Sequence, residues 1–219
     1  MIWLGLFLII LAASFILAYL SMKNYQEILP VQASGLYLIR NTAAINESFT
    51  NKLHEELIKS GSLVSIERLF KGLQEALVIF GPKQILLKFP DLNLLELEDY
   101  TAIRSDSVSL WEMAISDKEG VKLPPLNADE QFWLQMILQA QNKDNFKIYV
   151  RSAAICPDER RRTKLASLLK EGVGRFVFVP RPVSSEKMLN LYKNRALPHF
   201  YSSSSKIGVS SFFKLTEKF

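Results

Sequence analysis

The chain of 219 residues is 48% hydrophobic and 22% charged, with a formal net charge of +5, two His and one Cys. That composition excludes a collagen-like, disulfide-stapled or wholly disordered chain, and a zinc centre or Cys–His pair has almost nothing to be built from. Charge is uneven, net −3 over residues 23–157 and +8 over residues 158–219, so the C-terminal third points to an anionic partner: nucleic acid, anionic lipid or an acidic protein surface.

Residues 1–22 contain no charged side chain and are interrupted only by Ser14 and Ser21. As a helix, a run of this length matches the hydrocarbon slab of a bilayer. It is too long for a signal-peptide core, lacks a basic flank before it and offers no small-x-small cleavage site. It therefore reads as an uncleaved single-pass anchor in a cell membrane, with Trp3 and Tyr19 as interfacial rings and Lys23 as the flanking cation. Lys23 places the body on the cytoplasmic side, and a single Cys156 agrees with a reducing compartment.

Residues 23–61 read as a connector and a helix. Pro30 breaks any continuous helix, and residues 35–39 form a short strand. Phe49, Leu53 and Leu57 recur every four residues, with Gly61 as a stop, and predict a helix over 46–59. Residues 62–81 support two readings. Ile66, Leu69, Phe70, Leu73 and Leu77 fit a helical period, whereas Lys71-Gly72 would serve as the turn of a hairpin. A short helix over 84–89 ends at Pro90, and residues 94–100 alternate as a strand.

The runs 108–116, 131–139 and 146–155 are β-rich, the last two joined by a polar hairpin loop. Pro157 and Asp158 open an amphipathic helix that Gly172 and Gly174 close; residues 175–179 form a strand and 186–195 a last helix. This order predicts an α+β fold, an N-terminal transmembrane helix followed by an antiparallel sheet packed with helices. The α+β domain spans 62–198, and a Ser-rich flexible tail occupies 199–219.

Sites for chemistry are sparse. There is no P-loop run and no Gly-x-Ser-x-Gly elbow, and Gly172-Val173-Gly174 ends a helix where dinucleotide binding needs one to begin. Glu96, Glu98 and Asp99 place carboxylates near one strand face, as a hydrolase would, but fit a solvated face as well. Arg160, Arg161 and Arg162 lie in the first turn of a helix, where the macrodipole disfavours cations. With Lys164 and Arg175 they are the candidate contacts for an anion, nucleic acid or protein partner. Trp111 and Trp133 read as sheet-covering residues rather than platforms for bases. No catalytic residue, cofactor or metal is expected.

The segments Leu97-Glu98-Asp99-Tyr100-Thr101, Ser109-Leu110-Trp111, the run from Leu126-Asn127-Ala128-Asp129-Glu130 into Gln131-Phe132-Trp133-Leu134-Gln135, and Ala153 to Pro157 followed by Glu159-Arg160 occur in that order. Over residues 62–198 the chain resembles uncharacterised membrane-anchored bacterial regions, notably of candidate phyla, that accompany conjugation or type IV secretion ATPases. The resemblance implies a sheet-and-helix domain beside a FtsK/HerA-type or TraG-like motor, and a strand at 62–70. The motor's P-loop is absent here, so ATPase activity does not carry over. The expected function is a non-enzymatic, membrane-tethered accessory domain docking such an ATPase. The alternative is a membrane-tethered nucleic-acid binder using the basic third.

Overall fold

The computed structural model describes residues 33–101, 105–115, 125–170, 176–179, 185–197 and 205–212, with Leu11, Ser14 and Phe15. The chain divides into two compact units, Met1–Ser34 and Gly35–Phe219. The second holds strands β1 (Ser34–Ile39, from its second residue), β2 (Leu63–Lys71), β3 (Gln74–Pro82), β4 (Leu94–Leu97), β5 (Val108–Ile115), β6 (Gln131–Asn142), β7 (Asn145–Ile155), β8 (Phe176–Val179) and β9 (Ser205–Gly208). Helices α1 (Glu47–Ser60), α2 (Lys83–Leu86), α3 (Glu159–Lys170) and α4 (Ser185–Lys193) complete it.

The strands join in one sheet of order β4-β1-β3-β2-β6-β7-β5-β8, with β9 pairing β7 beside β5. The pairings of β1 with β4, β2 with β3 and β6, β7 with β5, β6 and β9, and β5 with β8 are all antiparallel. The expected α+β class is thereby corrected: the molecule is mostly an antiparallel sheet with few helices. The physical reason lies in residues 62–81, which fold as the β2–β3 hairpin and not as a helix. Gly72 takes the first turn position at φ 54°, a left-handed conformation that costs glycine little, while Leu73 beside it is not left-handed.

The transmembrane helix that opened the expected fold falls on residues that are almost all outside the described ones. Among the described residues no helix is long and apolar enough to cross a membrane. Residues 1–22 lie outside the described residues except at Leu11, Ser14 and Phe15, and the interfacial anchors Trp3, Tyr19 and Lys23 lie outside them altogether. Of the stretch read as a tail, residues 205–212 are described. Ser205–Gly208 adds a strand, and Phe212, fully buried, packs on Phe146 at 5.3 Å between ring centroids.

Alternation sorts the side chains to two faces. On the first, Ile66, Phe132, Leu134, Met136, Leu138, Phe146, Ile148 and Val150 meet Phe49, Leu53 and Leu57 of α1 and Leu165 of α3 in the main core. Helix α1 starts where the Asn46 side chain accepts from the Phe49 N–H at 2.9 Å, and it ends at Gly61, left-handed at φ 64°. On the second face, Trp133, Ala153, Val108 and Ile155 meet Leu189 and Tyr192 of α4. Both faces of β6 are buried from Phe132 to Leu138, which explains why these strands read as nearly continuous apolar runs.

Candidate functional site

A row of polar residues crosses the second face in the middle of the sheet. Glu67 of β2 stands opposite Gln135 of β6, Gln135 opposite Arg151 of β7, and Arg151 opposite Glu112 of β5. All four are buried. Gln135 and Glu112 are flanked by apolar residues, while Glu67 is followed by Arg68 and Arg151 by Ser152; a buried polar group is retained in a core only if it is hydrogen-bonded.

Two of them, Arg151 and Gln135, find partners at the carboxyl end of α4. Arg151 donates through Nη1 to the Leu191 carbonyl at 2.8 Å and through Nη2 to the Ala196 carbonyl at 2.5 Å. Gln135 Nε2 donates to the Tyr192 carbonyl at 3.2 Å and to Glu67 Oε1 at 3.1 Å. The last turn of any helix leaves carbonyls without partners and carries the negative end of the macrodipole. The sheet supplies an amide and a guanidinium to two of those carbonyls.

The helix is closed by a Schellman motif, with Ala196 N–H on the Leu191 carbonyl at 3.0 Å and Arg195 N–H on the Tyr192 carbonyl at 3.1 Å. The residue in the left-handed position is Arg195, φ 49°, where glycine is usual. Its side chain turns back into the row. Nε donates to Glu67 Oε1 at 2.9 Å, and Nη1 donates to Asp99 Oδ2 at 2.6 Å. The guanidinium lies over the Phe80 ring, 4.2 Å from its centroid.

Glu67 also accepts from the Ser65 hydroxyl at 2.6 Å and from the Tyr100 hydroxyl, so its lone pairs are fully used. Tyr100 packs edge-on against Trp133 at 4.5 Å, and Tyr192 stacks on the same indole at 6.2 Å. Burial, with Tyr192 and Glu67 adjacent, pushes the Tyr100 phenol well above its ordinary value. Burial likewise raises Tyr192, so both stay neutral at physiological pH. Burial pulls the Arg195 guanidinium down, but Glu67 and Asp99 more than restore it and hold it above the ordinary value. Burial also pushes Asp99 up, and the Arg195 and Thr101 hydrogen bonds overcome that to leave its carboxyl low.

The expected site residues are dispersed. Arg161 is bound to Glu130, Nε to Oε1 at 2.6 Å and Nη2 to Oε2 at 3.1 Å. Arg162 donates to the Cys156 carbonyl at 2.8 Å, and Asp158 caps the helix by accepting from the Arg160 N–H at 2.8 Å. Arg160 and Lys164 are exposed, and Arg175 lies outside the described residues. The three carboxylates also separate: Glu96 pairs with Lys83, Asp99 with Arg195, and Glu98 is exposed. Trp133 is buried among the residues under α4, and Trp111 packs against the main core. Among the described residues no group of His, Cys, Asp and Glu is arranged to hold a metal ion.

Sequence reading passed over Glu67, Glu112, Gln135, Arg151 and Arg195. A lone polar residue in an apolar run would have marked Gln135 and Glu112, but Glu67 and Arg151 have polar neighbours in their strands and carry no such mark. Compared with known proteins, the chain matches no family model, no curated protein and no solved structure.

Proposed function

We propose that this chain is a non-enzymatic docking module, held at a membrane by the uncharged residues 1–22 with its body on the cytoplasmic side. The partner it positions is a motor ATPase of the type IV secretion or conjugation kind. One observation carries the non-catalytic part of this reading. Glu67, Arg151 and Arg195, the buried groups best suited to chemistry, are spent on seating α4, and the exposed Asp99 is tied to Arg195 beside them. A general acid or base needs a proton-accepting site facing a substrate, whereas Glu67 faces five hydrogen-bond donors from its own chain.

The motifs behind the resemblance support the same reading. Asp99 and Tyr100 from one motif, and Trp133 and Gln135 from another, converge on Tyr192 and Arg195 at the end of α4. Their order along the chain therefore corresponds to one structural seat. Its role is to hold a rigid body together, as a platform for another protein requires.

The test is purification of the tagged full-length chain from membranes, beside a chain lacking residues 1–22. The proposal expects the full chain in the membrane fraction with a P-loop ATPase recovered alongside it, and the shortened chain in the soluble fraction. A full chain that stays soluble, or recovery of no such ATPase, contradicts it. Nucleic-acid binding that falls steeply with salt would favour the alternative, with Arg160 and Lys164 as exposed cations of α3.

A further inference from the structure

Where β9 returns to β7, packing on one face of the sheet forces a conflict of charge on the other. Ile207 stands opposite Phe146 and packs against the main core, which fixes the register of the two strands. The same register sets Lys206 directly opposite Lys147 on the second face. Like charges in facing positions of an antiparallel pair destabilise it. Among the described residues neither lysine is paired with a carboxylate. Lys147 Nζ lies over the Tyr149 ring, 5.1 Å from its centroid, and Lys206 is exposed.

The space beside the two cations is shaped as well as charged. Gln139 of β6 stands opposite Lys147, so an amide and two ammonium groups form one row across three strands. Neighbours in such a row are about 5 Å apart. Gly208, two residues beyond Lys206 and on the same face, leaves its place in the strand bare. A Cβ there would come only within 3.9 Å of the Ser211 hydroxyl oxygen and of the Asp144 carbonyl oxygen, an ordinary contact distance. The floor of this notch is therefore open backbone, and a hydroxyl stands at its far side.

We propose that this notch binds a phosphate monoester group through Lys147 and Lys206, with Gln139 and Ser211 as neutral donors. Two ammonium groups side by side match the charge of about −1.5 to −2 that such a group carries at neutral pH. The phosphodiester of a nucleic acid carries a single charge and matches them less well. The bound anion removes the repulsion between the lysines and accepts a charge-assisted hydrogen bond from each. This chemistry is the same whether the group belongs to dissolved phosphate or to an anionic lipid headgroup, and it does not depend on any protein partner.

The experiment is titration of the full chain in neutral detergent micelles with inorganic phosphate, read from the amide chemical shifts of Gln139, Lys147, Lys206 and Gly208. Sodium chloride at matched ionic strength is the control for simple screening. Saturable shifts are expected with phosphate and not with chloride. Lys206→Gln, at an exposed position, is expected to raise the dissociation constant about fivefold or more, the effect of losing one charge-assisted hydrogen bond. Gly208→Val keeps both charges but fills the floor of the notch, and is expected to weaken binding as well; circular dichroism verifies the fold of both variants. Doping the micelles with phosphatidic acid separates the sources. The same shifts without dissolved phosphate assign the site to a lipid headgroup, and shifts confined to dissolved phosphate assign it to a soluble ligand. No saturable shift, shifts that chloride reproduces, an affinity unchanged in either variant, or a response to an oligonucleotide but not to phosphate overturns the proposal.

Discussion

Arg195 and Glu67, 128 positions apart in sequence, meet in a buried ion pair with Nε 2.9 Å from Oε1. The arginine reaches the glutamate only because its own backbone is left-handed, the residue that ends α4. Strain in the backbone and an ion pair in the core are therefore two aspects of one contact. For a residue other than glycine the left-handed region costs about 1 kcal/mol. Losing one partner of a buried pair costs more, about 3–5 kcal/mol. The ion pair thus outweighs the strain, which explains why arginine is found where glycine would be relaxed.

That balance orders a series of variants. Arg195→Ala keeps the strain and abandons Glu67, whereas Arg195→Gly abandons Glu67 but relaxes the backbone. Both are expected to be less stable than the parent in urea unfolding of the detergent-solubilised chain, with the glycine variant ahead of the alanine by about 1 kcal/mol. Equal stabilities would mean that the left-handed backbone carries no cost here.

A second ion pair sets the acid limb of stability. Arg161's hydrogen bonds are the main reason the Glu130 carboxyl lies below its ordinary value of 4.5. A lowered carboxyl contributes stability that is complete above the unfolded value and disappears as pH falls through the folded one. Asp99, also lowered, acts in the same direction. Unfolding followed from neutrality to below pH about 4.5 should therefore show falling stability, and Arg161→Met should flatten that fall. An unchanged pH profile in Arg161→Met would show that the pair does not set this limb.

The hairpin turn gives a third expectation. A Cβ at Gly72 faces both a positive φ and the Ala128 backbone at 3.3 Å. Gly72→Ala should cost about 1 kcal/mol or more, measured as a lowered urea midpoint with unchanged slope. An unaffected midpoint would imply that the 127–130 loop gives way without cost.

Much of the sheet was legible because β6 and β7 are long, β-rich and joined by a polar turn. The helix α1 was legible because Asn46, its fourfold apolar spacing and Gly61 agree. Residues 62–81 were ambiguous for a physical reason. Ile66 faces the main core, Leu69 lies on the opposite face and Leu73 projects from the tip. Apolar residues serving three different surroundings erase the period of two. The polar row was invisible because its register joins positions 67, 135, 151 and 112, and no local window contains more than two of them. The Ser-rich tail gave no sign that Phe212 would be needed to cover Phe146.

The buried row exists to seat the carboxyl end of α4, and amide hydrogen exchange on Glu67→Gln tests that claim most directly. Glu67→Gln removes the charge that Arg195 needs while keeping the side chain's size. Protection is predicted to be lost at residues 189–196 while the β6 and β7 amides keep theirs. Unchanged protection across α4 in that variant would contradict the claim.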